Sequence, residues 1–400
     1  MKTTLTAVAL GVVSLAFFLW HISIPPERVF DEGIFIPAAN ALLAHAPNPN
    51  PQSPPIGKFM IAVGIKAFGD NPRGWRIPSA VFGSLTLVGV FLWANLLLDS
   101  YSLALTAAFL TLLNNFLFIF SRTAMMDIYM VSFLIWGLLA FTAATMLDHL
   151  SVARRRGLFL SSGIMFGFAC ASKWNGIDTL GIAIAACVLL LWLSPRRANP
   201  EIARLAGHLR HVGVPWIATS LLLVPIVAYA ITFIPFLQPL SLREFVSTNL
   251  YIWQYHRAQI GNVFLASPWY QWPLKFQPLR ALSYLVGNWY VMWAGVAALL
   301  VCARRFGRSA PETLLIALYA GNLSQWALTP QHCLFYYYYF PAAILLGVAI
   351  PLALRQMPER IWGVRLSILC VLPAVVVFAY CFPRMAHLPQ PWDCALGCWP

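Results

Sequence analysis

The stretch WRIPSAVFGSLTLVGVFLWANLLL, residues 75–98, is almost entirely apolar. About 20 apolar residues are needed for a helix to cross the ~30 Å hydrocarbon core of a bilayer, so this run predicts a membrane-spanning helix. The 400-residue chain has the same character throughout, with 60% apolar residues, 10% charged residues and a mean hydropathy of +0.72. These values predict an all-α polytopic membrane protein that forms one integral-membrane domain over residues 1–400.

Other apolar runs of similar length bring the predicted number of spans to about eleven. The first run follows Lys2 and resembles a secretory signal, but no small-residue cleavage site follows it, so we interpret it as a retained signal anchor. The predicted spans are 4–24, 75–98, 101–120, 124–147, 158–174, 178–194, 214–236, 281–302, 312–329, 334–354 and 364–382.

The basic residues predict the orientation in the plasma (inner) membrane. With a cytoplasmic N-terminus, the loops SVARRRG, SPRRANPEIARLAGHLRH, CARRFGRSAPE and RQMPERIWGVR all face the cytoplasm and, with Lys2, carry more than half of the 26 basic residues. The C-terminus and two long loops, 25–74 and 237–280, then face the outer or periplasmic side. The net charge of +13 indicates anionic lipid or phosphate ligands rather than nucleic acid.

The two outer loops are where we expect the chemistry. Segments 33–46 and 57–69 have apolar residues at helical spacing but are too short to span, so both predict helices lying on the membrane surface. We expect loop 25–74 to be catalytic and loop 237–280 to bind substrate.

Asp31 and Glu32 lie together in the first outer loop, in a chain with only 13 acidic residues. A solvated acidic turn is one interpretation. Apolar neighbours on both sides favour another, because a carboxylate with apolar walls has a raised proton affinity that suits a general base.

Four charged residues near the membrane surface are candidates for ligand contacts. Lys58 either extends to the lipid headgroups or binds a lipid phosphate. Arg122 and Asp127 form either a functional charged pair or a structural one. Lys173 precedes Trp174, which is either an interfacial anchor or part of a binding site.

The aromatic residues of 251–280 suggest a surface on which a sugar ring or a peptide backbone stacks. Trp269, Tyr270 and Trp272 lie in SPWYQWP, and His256 and Arg257 precede them with polar groups. The run LFYYYYFP, 334–341, is either an interfacial aromatic belt, which we slightly favour, or the wall of a lipid-tail groove.

Sequence signatures of cofactor and metal sites are missing: there is no P-loop, GxGxxG, HExxH or paired CxxC. We therefore expect neither a cofactor nor a metal. Cys394 and Cys398 pair only if the tail lies in an oxidising compartment, and the sequence does not decide this.

The motifs FDE, PPIGK, RTAMMD, SKWNG, SPWYQWP and YYYYFP occur in one order along nearly the whole chain, which resembles the protein O-mannosyltransferase family in its bacterial form. The resemblance implies a GT-C-type fold and inverting transfer of a sugar, mannose in this family, from a polyprenyl phosphate to Ser or Thr hydroxyls of exported proteins. The implied partners are the lipid-linked donor, the polypeptide and membrane lipids.

The resemblance also implies roles for individual residues. Asp31 matches the catalytic carboxylate that deprotonates the acceptor, and Glu32 its companion. Cations offset the charge of the leaving phosphate. The implied phosphate ligands are Arg122, Lys58, Lys173 and Arg257, and the implied substrate contacts are Asp127, Trp174, His256, Trp269, Tyr270 and Trp272.

The chain departs from the family pattern at two positions. Ser53 replaces the histidine before the double proline, and Leu265 and Ala266 lie where a second histidine is expected. The acceptor is therefore open: a lipid or envelope glycan, as in aminoarabinose transferases, is the alternative within this class. A transporter of lipid-linked glycans is the alternative outside it, although internal repeats typical of transporters are missing.

Overall fold

The computed structural model describes residues 1–193, 199–236, 241–258, 266–275, 285–328, 334–361 and 364–388. The α-helices are α1 (Lys2–Leu19), α2 (Glu32–Leu43), α3 (Ile56–Phe68), α4 (Pro72–Leu98), α5 (Tyr101–Leu112), α6 (Asn115–Phe120), α7 (Met126–Met146), α8 (Val152–Ser172), α9 (Gly176–Leu193), α10 (Pro200–Val212), α11 (Val214–Ala218), α12 (Val224–Ile231), α13 (Leu242–Ala258), α14 (Trp289–Ala303), α15 (Ala310–Leu328), α16 (Phe340–Leu354), α17 (Leu366–Leu369) and α18 (Leu372–Met385). A π-helical turn, Thr219–Leu223, joins α11 to α12, and 3-10 turns occur at Ile234–Phe236, Trp269–Leu274 and Tyr336–Tyr339. Strands β1 (Arg360–Ile361) and β2 (Val364–Arg365) form an antiparallel pair.

In the described part of the chain, seven helical segments are long and apolar enough to cross a membrane: Lys2–Leu19, Pro72–Leu98, Met126–Met146, Gly176–Leu193, Val214–Phe236, Tyr336–Leu354 and Leu366–Met385. All seven overlap predicted spans. The predicted spans 158–174, 281–302 and 312–329 overlap α8, α14 and α15. The total of eleven spans stays a prediction.

The predicted span 101–120 is interrupted, because Asn114 separates α5 from α6. The Asn114 side-chain oxygen accepts a hydrogen bond from the Phe116 N–H at 3.1 Å, which caps the start of α6. Its amide nitrogen donates to the Ala343 carbonyl of α16, also at 3.1 Å. The side chain therefore begins a new helix and fixes the break against α16.

The helices divide into a buried centre and an exposed periphery. α7 and α16 are buried along nearly their whole length. α1, α9 and α18 leave most of their apolar side chains exposed, as expected of helices that face lipid.

The pair α7 and α8 forms a hairpin that is fixed at both ends. At its turn, buried Arg155 donates to the Ala144 carbonyl at 2.6 Å and also to the carbonyl of Leu147. At the other end, Lys173 meets Asp127. Ion pairs and charged hydrogen bonds of this kind fix helices relative to each other because the partners are desolvated.

The two long predicted loops contain the expected helices. The helices expected at 33–46 and 57–69 are confirmed as α2 and α3. The second loop contains α13 and the turn Trp269–Leu274. Residues 237–240, 259–265 and 276–284 lie outside the described residues.

Candidate active site

A cavity of about 730 Å³ lies between the loop after α1, the linker before α3, the α8–α9 connection, α13 and α15. It brings together six of the side chains that the sequence singles out: Asp31, Asp127, Lys173, Trp174, His256 and Arg257. Six others do not line it: Glu32, Lys58, Arg122, Trp269, Tyr270 and Trp272.

Asp31 presents its carboxylate to this cavity from the residue before α2. Phe30 adopts a φ of 59°, a conformation that is strained for a residue with a side chain and turns the chain sharply before Asp31. The Tyr337 hydroxyl donates to Asp31 Oδ2 at 3.4 Å. Burial raises the pKa of Asp31 to about 6; the charge of Lys173 lowers it and that of Asp127 raises it. The carboxylate is thus suited to accept a proton near neutral pH.

Glu32 points away from the cavity and is fully buried in an ion pair with Arg76. Arg76 Nε and a terminal nitrogen each donate to one carboxylate oxygen at 2.8 Å. The N–H groups of Val29 and Ala124 each donate at 2.9 Å. Because both oxygens are saturated by protein donors, the expected contact of Glu32 with substrate is corrected to a structural role in the loop that carries Asp31.

Lys173, at the end of α8, is the cation held closest to the carboxylates of the cavity. Its Nζ lies 2.8 Å from Asp127 Oδ1, and it also lies over the rings of Tyr338 and Tyr337, at 4.3 and 4.8 Å. The sequence suggested that Asp127 pairs with Arg122, but Lys173 is its partner. Lys173 keeps a partly exposed side chain on the cavity wall, where an anionic group can reach it.

Arg122 lies next to the end of α1 instead of lining the cavity. Its guanidinium donates to the carbonyls of Phe18 and His21, at 2.8 and 3.0 Å, and also to that of Trp20. Burial lowers the pKa of Arg122 to about 10. These carbonyls have no partners within the helix, so a cation is stabilising there. In this structure Arg122 caps α1, which corrects its expected contact with the donor phosphate.

The Lys58 side chain is also buried, and it lies beneath the linker that precedes α3. Its fully buried Nζ donates to the carbonyls of Asn50 and Ser53 at 2.6 and 2.7 Å. Burial lowers the pKa of Lys58 to about 7. Asn50 and Ser53 line the cavity, so Lys58 supports that wall through their carbonyl groups. Its expected phosphate contact is corrected to this structural role.

The last turn of α13 brings His256 and Arg257 to the cavity opposite that linker. His256 Nε2 lies 3.2 Å from the Gln52 carbonyl oxygen, so the two long predicted loops meet at the cavity. Arg257 is exposed at its edge. Trp174 donates through Nε1 to the Tyr229 hydroxyl at 2.9 Å, which fixes its ring on the wall.

The aromatic motif SPWYQWP does not form the expected stacking surface. Trp272 is fully buried, and its Nε1 donates to Ser267 Oγ at 2.9 Å. Trp269 and Tyr270 are not cavity residues either. The Phe, Tyr and Trp rings at the cavity are those of Phe30, Phe35, Trp174, Trp253, Tyr255, Trp326, Phe335, Tyr337 and Tyr338. Trp272 therefore has a packing role, whereas Tyr270 is exposed away from the cavity.

The tyrosine run is a wall of the cavity rather than the interfacial belt that we slightly favoured. Tyr336–Tyr339 form a buried 3-10 turn, and Tyr337 and Tyr338 face the cavity. Tyr336 and Tyr339, on either side of this pair, are fully buried in the core.

Sequence reasoning missed several residues that build the site. Arg76 was detectable, since a lone arginine inside an apolar run requires a buried partner. Tyr337 lies in the tyrosine run that the sequence singles out, whereas Asp178 and Trp326 had no comparable signal. In the described ranges, three or more His, Cys, Asp or Glu side chains do not cluster as a metal site. Cys394 and Cys398 lie outside those ranges.

Several solved structures share the fold of this chain. The Saccharomyces cerevisiae protein O-mannosyltransferase Pmt1-Pmt2 complex bound to the sugar donor matches with a TM-score of 0.80 at 13% identity, over 98% of this chain and 91% of that one. ArnT from Cupriavidus metallidurans bound to undecaprenyl phosphate matches with a TM-score of 0.65 at 15% identity, over 94% of this chain and 63% of that one. The fold is that of a GT-C-type membrane glycosyltransferase.

The family comparison is more specific. Residues 52–216 match the family described as dolichyl-phosphate-mannose-protein mannosyltransferase. The polyprenol-phosphate-mannose–protein mannosyltransferase of Corynebacterium glutamicum is 23% identical, over 84% of this chain and 78% of its own length. The resemblance to protein O-mannosyltransferases seen in the sequence motifs is therefore confirmed.

Replacing Glu32 by Gln is expected to destabilise the protein, because Arg76 then keeps a buried charge without its counterion. Loss of one partner of a buried ion pair costs about 3–5 kcal/mol. Thermal unfolding in detergent should show a clear fall in Tm for Glu32→Gln, whereas the exposed control Glu27→Gln should match the wild type. Equal stability of the two variants, with loss of turnover only for Glu32→Gln, would instead assign Glu32 to the chemistry.

Proposed function

We propose that this protein is an inverting glycosyltransferase that moves mannose from a polyprenyl phosphate to Ser or Thr hydroxyls of exported polypeptides. The observation that carries the proposal is the cavity in which the Asp31 carboxylate, with a pKa of about 6, lies close to the Lys173 ammonium. A base and a phosphate-binding cation are the two groups that this transfer requires.

In the proposed step, the acceptor hydroxyl oxygen bonds to the anomeric carbon of the sugar as its proton passes to Asp31. The bond between that carbon and the phosphate oxygen breaks at the same time, and the polyprenyl phosphate leaves with the electron pair. Attack from the face opposite the leaving group inverts the anomeric centre. Lys173, aided by Arg257 at the cavity edge, offsets the additional negative charge on the departing phosphate.

Similar proteins support this choice of donor and acceptor. The Corynebacterium glutamicum relative is named for transfer of mannose from polyprenol phosphate to protein. The yeast complex with the same fold is bound to its sugar donor. ArnT, which shares the fold, is bound to undecaprenyl phosphate, a carrier of the chemical class that we propose for the donor.

Asp31→Asn is expected to abolish transfer, since the amide accepts no proton; a general base contributes about 10²–10⁴-fold. Purified protein is incubated with labelled polyprenyl-phosphate mannose and a Ser/Thr-rich exported peptide, with a lipid acceptor in parallel. Burial disfavours the ionised form of Asp31, so the neutral amide should leave Tm at pH 7 no lower than wild type. The exposed control Asp99→Asn should retain transfer. Normal turnover by Asp31→Asn would remove the base assignment.

The pH profile gives an independent check on the same residue. Transfer requires ionised Asp31, whose pKa is about 6, so kcat/KM should be level above about pH 7. Below pH 6 it should fall by about tenfold per pH unit as the carboxylate becomes protonated. The sugar phosphodiester does not titrate in this range. A profile that stays flat down to pH 5 would contradict this assignment.

The proposed reaction takes place on the outer face of the plasma (inner) membrane, with the N-terminus in the cytoplasm. Reporter fusions in the 195–213 loop and at the C-terminal tail should report opposite sides, with the loop in the cytoplasm. A fusion at the N-terminus is the control and should agree with the loop. If the loop and the tail report the same side, the orientation fails and the outward-facing site fails with it.

A further inference from the structure

Asp178 is a carboxylate on the cavity wall to which the proposed reaction gives no role. It lies in the first turn of α9, half-buried. Its Oδ2 is enclosed by protein and has no hydrogen-bond partner among the described residues. The other cavity carboxylates differ, because Tyr337 donates to Asp31 and Lys173 pairs with Asp127. An enclosed carboxylate oxygen without a partner is costly, so its presence beside a cavity indicates that a ligand supplies the missing hydrogen bond.

Trp326, which lines the same cavity, has a hydrogen-bond donor without an acceptor within the described ranges. Its side chain is 5% exposed, and its Nε1–H lacks an acceptor in the part of the chain that the structure describes. The ring stacks on Tyr338 at 4.7 Å and meets Trp272 edge-on at 5.8 Å, so the indole is held in one orientation. The indole N–H is therefore a donor of fixed position that a ligand acceptor can bind.

The two residues lie on helices that are joined near the cavity. The Asn322 amide on α15 donates to Thr179 Oγ1 on α9 at 3.2 Å. Thr179 directly follows Asp178, and Asn322 lies about one helical turn before Trp326. This hydrogen bond joins the two helices that carry Asp178 and Trp326, both of which line the cavity.

We infer that Asp178 and Trp326 form the subsite that binds hydroxyl groups of the donor's sugar ring, an assignment that rests on the proposed function. A hydroxyl group donates to a carboxylate and accepts from an indole N–H, so a ring with neighbouring hydroxyls satisfies both residues. The aromatic ring of Trp174 on the same cavity suits the C–H face of such a ring.

The position of Lys173 distinguishes the sugar from the phosphate as the group bound here. Lys173 directly follows α8 and Asp178 is the third residue of α9, and both side chains line the cavity. In this assignment the phosphate binds at Lys173 and the attached sugar extends towards Asp178. The phosphate itself is repelled by the Asp178 carboxylate.

Binding measurements in the Asp31→Asn background, where turnover is stopped, test the subsite without relying on activity. Polyprenyl-phosphate mannose and sugar-free polyprenyl phosphate are each titrated against two proteins, Asp31→Asn and Asp31→Asn/Asp178→Ala. The double variant Asp31→Asn/Asp99→Asn is the matched control. Asp178→Ala should weaken binding of the mannose donor by about 10–100-fold, as expected for hydrogen bonds to a charged group, and leave the sugar-free carrier unchanged.

Trp326→Phe, which keeps an aromatic ring but removes the N–H, provides the second variant. It should weaken binding of the mannose donor by about 2–10-fold and leave that of the carrier unchanged. Asp178→Ala removes an unpaired carboxylate, so its Tm should be no lower than that of the Asp99→Asn control; a fall would indicate a structural role.

The outcomes separate the inference from the function on which it rests. Equal weakening of donor and carrier, or no weakening of either, would overturn the sugar subsite while leaving the transferase proposal in place. Failure of the Asp31→Asn protein itself to bind either lipid would overturn the proposed function.

Discussion

The buried ion pair between Glu32 and Arg76 holds together the parts of the chain from which the site is built. Arg76 comes from α4, and Glu32 begins α2 immediately after Asp31. The same carboxylate accepts the N–H of Ala124 from the segment before α7, while Arg76 also donates to the carbonyls of Ile22 and Pro25. In an apolar interior two opposite charges without water strongly constrain each other's position. The position of Asp31 therefore follows from that of its neighbour.

The buried cations of this chain serve mainly to bind backbone carbonyls. Arg122 holds the end of α1, Lys58 holds the linker before α3, and Arg155 holds the turn between α7 and α8. Unpaired carbonyls are costly where water is scarce, and a cation with several donors satisfies more than one of them. These cations are therefore not available to ligands, whereas Lys173 and Arg257 line the cavity.

The sequence was sufficient for the fold class and for the general position of the site, because both depend on local patterns. Apolar length predicted the helices, and the scarcity of acids drew attention to Asp31. The roles of individual charges were harder to predict. Arg122 and Lys58 looked like phosphate ligands because their motifs lie near the membrane surface, but which carbonyls they meet depends on contacts between distant segments. Likewise, nothing local distinguishes the fully buried Trp272 from the cavity residue Trp326.

The hairpin of α7 and α8 has a consequence for the precision of the site. Each of its helices has 21 residues, a length of about 30 Å, and Gly137 allows the Phe166 ring to pack closely midway along it. Arg155 fastens one end and the Lys173–Asp127 pair the other. Lys173, the proposed phosphate ligand, is therefore held at the end of a rigid helical hairpin, of which α7 is long and apolar enough to cross a membrane. Under the proposed function, Lys173 loses little conformational entropy when it binds the carrier phosphate, and the thickness of the membrane around α7 affects the position of this cation.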